Sequence, residues 1–202
     1  MWDYRLLFYY SYSLYDGILG KVCVLIMKRI FINKFNLTDT DIDYEVIRVK
    51  AIVIDSYKQV IIVENNYTYQ LPGGHKKGNE DLEDTLSREI REELGIDIEI
   101  ETGPFLMITT YDNNYENTGN KVCNKIYYYV IKCDLEPNLN NLSLDSLESM
   151  SEFRVFKTPL DRFKFFLHNA IDYGKIKTDI GQEMLIVADT FNELYGGILW
   201  EY

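Results

Sequence analysis

Four glutamates and an arginine stand close enough in this sequence to act together at one chemical centre, namely Glu80, Arg88, Glu89, Glu92 and Glu93. They fall in segment 73–96, GGHKKGNEDLEDTLSREIREELGI, where Gly74 precedes Glu80 by six residues and Gly95 follows Glu93 by two. Residues 80–94 hold seven acids and two arginines. Two guanidinium groups cannot neutralise seven carboxylates, so a bound cation is the economical way to hold them together. Clustered carboxylate oxygens suit a hard divalent ion, Mg2+ or Mn2+, rather than zinc.

The element that must position these groups is a helix. Leu82, Leu86, Ile90 and Leu94 recur every four residues and form a core-facing stripe. Asn79 or Asp81 caps its start, and Gly95 supplies the residue past its end. On that helix Glu89, Glu92 and Glu93 sit at i, i+3 and i+4, side by side on one face. Like charges at that spacing cost about 0.2–0.5 kcal/mol per pair. The competing reading is a solvated face with an Arg88–Glu92 ion pair. The glycine-to-glycine frame around the helix weighs against it.

The segment resembles the Nudix box, Gly-x5-Glu-x7-Arg-Glu-U-x-Glu-Glu-x-Gly-U with U aliphatic. Gly74, Glu80, Arg88, Glu89, Ile90, Glu92, Glu93, Gly95 and Ile96 fill every fixed place. The resemblance implies a Nudix α/β/α sandwich with a mixed β-sheet over roughly residues 45–173. It also implies Mg2+- or Mn2+-dependent hydrolysis of a nucleoside diphosphate linked to another moiety. By the same resemblance Glu92 and Glu93 are the principal metal ligands, and Glu89 is a further ligand or the general base. The Gly73 carbonyl is an added ligand, Arg88 orients the carboxylates, and Glu80 is an outer ligand or a loop anchor. Downstream, Glu148 and Glu152 are further acids for the base role. Gly73-x4-Gly78 mimics a phosphate-binding loop, but Asn79 and Glu80 stand where that motif needs Lys and Ser or Thr.

A chain of 202 residues, 47% hydrophobic and 26% charged, has the composition of a globular protein with a real core. Its net charge of −11 argues against direct nucleic-acid or anionic-membrane binding. It leaves a small phosphate-bearing partner open, since a metal can bridge two negative groups. Three cysteines without a CxxC spacing read as reduced thiols of a cytoplasmic protein. No run approaches the roughly 18–20 apolar residues of a membrane span. Asp3 and the lack of a small-residue cleavage site argue against a signal peptide, and Met27 is an alternative start.

Residues 1–44 are a tyrosine-rich N-terminal extension without a motif: an added strand or helix, a homodimer contact, or an arm. Residues 45–202 read as the catalytic domain with C-terminal helices. Strands are expected at 46–54, 59–63, 67–71, 97–101, 105–111, 121–133 and 152–156, with a turn near 64–66. Helices are expected at 159–173 and 182–194. Strands on both sides of one early helix, with helices at the end, suggest a mixed sheet between helical layers.

Substrate markers are weaker. Tyr111 and Tyr115 flank the place where related enzymes carry specificity residues, and either ring could stack on a base. His75, in the loop before the helix, is a further substrate contact. The Leu-Pro-Gly-Gly entry at 71–74 resembles the MutT-type nucleoside triphosphate group. ADP-ribose and nucleotide-sugar hydrolysis stay open beside it, and a catalytically silent nucleotide-binding regulator is the alternative function.

Overall fold

The structure is a computed structural model and describes residues 27–144 and 152–196. Most of the tyrosine-rich lead-in, Cys23 and Glu148 lie outside the described residues. The described strands are β1 (Lys28–Ile32), β2 (Tyr44–Ile54), β3 (Gln59–Asn65), β4 (Thr68–Gln70), β5 (Leu106–Asp112), β6 (Val122–Lys132) and β7 (Phe153–Pro159). The helices are α1 (Leu82–Leu94), α2 (Phe163–Asp172) and α3 (Thr178–Tyr195). Among the described residues the strands form one seven-stranded sheet in the order β1-β5-β6-β2-β3-β4, with β7 paired to β3. β1 with β5 and β2 with β6 are parallel, and the other pairs are antiparallel, so the sheet is mixed.

The alternation in β2 shows how the layers form. Val49, Ala51 and Val53 face one way and join Leu86, Ile90 and Leu94 of α1 in one core. Ile52 and Ile54 face the other way and join Leu167 of α2 with Met184, Val187 and Phe191 of α3 in a second core. Burying each of these side chains larger than Ala51 contributes about 1.5–3 kcal/mol before entropy is counted. The result is an α/β/α sandwich in which, among the described residues, the acid-rich helix covers one face and α2 with α3 the other.

Three local sequence expectations differ from the structure. The hairpin turn lies at Asn66-Tyr67, both with positive φ (48° and 61°), between paired Asn65 and Thr68. Residues 97–101 form no strand. Their alternation comes instead from Ile98 and Ile100 packing against the α1-side core without a ladder partner. The expected helix at 182–194 begins earlier, at Thr178.

β1, from the lead-in, extends the sheet by pairing along β5 from Lys28↔Leu106 to Ile32↔Thr110. Polar residues 134–144 close the end of α1. Asn138 N–H donates to the Leu94 carbonyl (2.8 Å), and Ser143 N–H donates to the Glu92 carbonyl (3.0 Å). These are carbonyls that a helix end leaves without partners. Gly95 takes the left-handed conformation there (φ 65°), and a β-carbon on it would lie 2.3 Å from the Asn138 carbonyl oxygen. No helix among the described residues is long and apolar enough to cross a membrane.

Candidate active site

The site starts at β2. Val49 N–H donates to the Gly74 carbonyl (3.0 Å), Ala51 N–H to Pro72 (3.0 Å) and Lys76 N–H to Ile47 (3.0 Å). The loop after β4 therefore runs alongside the central strand. Gly73 lies so close to it that a β-carbon would stand 2.2 Å from the Val49 carbonyl oxygen, at a φ of 128°. Only glycine tolerates that combination.

α1 then carries the acids to this loop. Its apolar stripe locks the helix rotation, which turns Glu89 and Glu93 inward with exposures of 8% and 1%. Asp81 holds the N-cap position without a side-chain cap bond. Glu93 accepts a hydrogen bond from Gly73 N–H at 2.8 Å. Arg88 is the hub. Its Nε donates to Glu80 (2.8 Å), and Nη1 donates to Glu89 (2.7 Å) and Glu92 (3.0 Å). Nη2 reaches the His75 carbonyl (2.9 Å) and the second Glu80 oxygen (3.1 Å).

Glu80 also accepts from Lys77 N–H (3.0 Å) and from the Thr85 hydroxyl (3.1 Å), which ties the loop to the first helical turn. These bonds, the Arg88 guanidinium foremost, hold the Glu80 carboxyl at about 2. Glu89 moves the other way: burial raises its carboxyl, against the pull of Arg88. Two neighbouring carboxylates are thus driven apart in basicity by their surroundings.

Three glutamates share one fully engaged guanidinium, with Glu93 beside them on Gly73 N–H, and all their donor atoms are oxygen. That chemistry fits a hard divalent cation. As placed, however, no three acid, histidine or cysteine side chains among the described residues gather tightly enough to hold a metal. Arg88 occupies the space between Glu80, Glu89 and Glu92.

The weaker sequence candidates separate into two places. His75 and Tyr115 come together through Arg48. Arg48 Nε donates to His75 Nε2 (2.9 Å), Nη2 donates to the Tyr115 hydroxyl (2.6 Å), and the ring nitrogen lies 3.2 Å from that hydroxyl. Desolvation of the ring, with the Arg48 cation beside it, lowers His75 to about 4. Tyr111 sits elsewhere. Its hydroxyl donates to Asp39, its ring meets Phe31 edge-on, and the Asp39 carboxylate pushes the phenol up to about 12. Glu152 forms an exposed ion pair with Arg154 at 2.6 Å.

Arg48 and Lys50 are absent from the sequence-derived candidates, although two cations at i and i+2 on an otherwise apolar central strand are a usable signal. Lys50 is 8% exposed, on the face opposite α1, and burial lowers its ammonium. Its Nζ lies 3.4 Å from Gln70 Oε1.

A family model described as the NUDIX domain matches residues 45–170. No curated protein sequence matches the chain. Similar solved structures include a Nudix hydrolase from Nitrosomonas europaea, at 14% identity and TM-score 0.46, covering 75% of this chain and 89% of that one. A MutT Nudix hydrolase from Burkholderia pseudomallei shares 20% identity at TM-score 0.42, covering 58% of this chain and 84% of that one. A MutT structure from a study of Aliivibrio salmonicida and Vibrio cholerae shares 15% identity at TM-score 0.42, covering 70% and 96%.

Proposed function

The chain belongs to the Nudix hydrolase family, and on that premise we propose that it hydrolyses a pyrophosphate bond in a nucleoside diphosphate linked to another moiety. Nucleoside triphosphates of the MutT type, ADP-ribose and nucleotide sugars are the substrate classes. The observation that supports this reading most is the gathering of Glu80, Glu89 and Glu92 on Arg88, with Glu93 held on Gly73 N–H.

Glu92 and Glu93 are the principal ligands for Mg2+ or Mn2+, with Glu89, Glu80 and the Gly73 carbonyl completing the oxygen donors. When bound, the cation neutralises the charge that shifts between phosphoryl oxygens and acidifies the attacking water. The chain's own residues do the rest. Glu89, made more basic by burial, serves as that further ligand or as the base that takes the water's proton. Arg88 holds Glu89 and Glu92 in fixed orientation, and its fork geometry sets both at once. Glu80 pins the loop through Lys77 and Thr85, so Gly73 keeps its place. The Arg48–His75–Tyr115 cluster stands beside that loop as a contact for the substrate's phosphates or sugar.

A nucleotide-binding regulator without turnover is the second reading. It rests on Arg88, whose engagement with Glu80, Glu89 and Glu92 keeps those carboxylates from converging on a cation. Product release from a panel of nucleotides with Mg2+, run beside Glu93→Gln, separates the two. Rapid turnover of one class, lost in the variant, is the expected result. Nucleotide binding with no turnover of any member would favour the regulator.

A further inference from the structure

We propose that residues 134–144 form a strap that positions the metal-binding end of α1, and that Lys157 of β7 anchors it. The inference rests on the metal-dependent reading above and gives a positioning role to residues that touch neither metal nor substrate.

The need for such a strap follows from where the acids sit. Glu92 and Glu93 belong to the last turn of α1, which ends at Leu94. A helix leaves its final carbonyls without internal partners, and its last turn frays first. Here the strap takes two of those carbonyls, Leu94 through Asn138 N–H and Glu92 through Ser143 N–H. It lies so close that a β-carbon on Gly95 would also stand 3.2 Å from the Asn141 Cβ. A short turn at Leu139–Asn141 keeps the strap in shape. Asn138 Oδ1 accepts from Asn140 N–H (3.2 Å), and the Asn138 carbonyl accepts from Asn141 N–H (2.9 Å).

The other end of the strap is fixed to the sheet. Asp134 Oδ1 accepts from Ser56 N–H at 2.7 Å. Lys157 Nζ donates to both oxygens of Glu136 at 2.8 Å and to Asp55 at 2.9 Å. Asp55 is buried and accepts from Tyr57 N–H (3.0 Å) and Gln59 N–H (2.9 Å), so the anchor is itself held in place. The strap therefore joins β7 and the turn between β2 and β3 to the helix end that carries two metal ligands. Arg88 and Gly73 N–H orient the side chains of Glu92 and Glu93. The strap fixes the backbone from which those side chains extend.

A frayed last turn is incompetent for metal for part of the time. Apparent affinity then falls by the competent fraction, and excess metal draws the turn back. Loss of general stability leaves no such signature.

The test compares the native chain with the double variant Asp134→Ala/Glu136→Ala, which frees both side-chain ties at exposed positions. Lys157→Met is the second variant and Lys157→Arg its rescue. Lys164→Met, which breaks an ion pair between α2 and α3 on the far face, is the control. Amide hydrogen exchange without metal, Mg2+ affinity by calorimetry, and nucleotide turnover at limiting and saturating Mg2+ are measured on each. In the double variant and Lys157→Met, exchange should quicken at residues 92–95 and stay native at 86–90. The Mg2+ Kd should rise about tenfold, the low end of the cost of losing a partner just outside a metal site. Turnover should fall in proportion at limiting Mg2+ and recover at saturation. Lys157→Arg should sit near native, and Lys164→Met should keep the native Kd whatever its melting temperature.

Native exchange at 92–95 in the double variant, or native Mg2+ affinity despite faster exchange, would overturn the proposal. An equal loss of affinity in Lys164→Met would do the same. The double variant carries the test if Lys157→Met does not fold. Turnover of nucleotides by the native chain, with variants equal to it, would sink the strap and keep the hydrolase. Weakened Mg2+ binding in variants of a chain without turnover would keep the strap and sink the hydrolase. A native chain that binds no Mg2+ would remove the metal reading and the strap together.

Discussion

The Glu89 carboxylate lies directly over Gly74, where a β-carbon would stand 2.6 Å from it. The glycine clears the space in which this buried acid, the one made more basic by its surroundings, rests. Gly74→Ala should therefore displace Glu89 and not merely stiffen the loop. The expected result is a fall in kcat of on the order of 100-fold, with KM changed far less. Steady-state kinetics would show it, and wild-type kcat would mean that Glu89 takes no part.

Arg88 makes five hydrogen bonds in a planar fork, which a lysine cannot reproduce. Arg88→Ala leaves partly buried carboxylates without their cation and should destabilise the fold by about 3 kcal/mol. Arg88→Lys should recover part of the stability but little activity. Denaturant unfolding of both variants beside the native chain checks the order.

Metal binding should stabilise the native state by mass action. At a free Mg2+ concentration near 100 times Kd the gain is about 2.7 kcal/mol. The melting temperature should rise with Mg2+, fall back with EDTA, and stay flat in Glu93→Gln. Gln keeps the acceptor for Gly73 N–H, so that variant should fold normally. A full Mg2+ shift in Glu93→Gln would place the cation elsewhere.

Stability should decline on the acid side in two windows. His75 is held at about 4 against an ordinary 6.5, so the folded chain binds fewer protons than the unfolded chain between those values. Its contribution is complete above 6.5 and is lost as pH falls toward 4. Glu80, at about 2 against 4.5, contributes fully above 4.5 and loses that contribution as pH falls toward 2. Melting temperatures across pH should show both declines, and His75→Asn should remove the upper one.

The acid-rich helix is legible in the sequence because every cue to it is local: an apolar residue every fourth position, acids at i, i+3 and i+4, and a glycine stop. Residues 97–101 mislead for the same reason. Alternation reports which side is buried, and Ile98 and Ile100 are packed, but it cannot report whether a neighbouring strand exists. The Arg48 cluster joins residues 27 and 67 positions apart, and no short window of sequence contains it.

Family, acid-rich helix and the identity of its acids could all be read from the amino-acid order, because helix periodicity and residue type are properties of a short segment. How those acids are arranged emerges from the folded chain. Packing of Gly73 and Gly74 against β2 and Glu89 places the loop, and the Arg88 fork divides the carboxylates. The register of β5 on β6 sets the buried Asn124 beside Thr110. Such placements depend on which strands pair and which faces they share, and the free energy that selects them comes from contacts between residues distant in the chain.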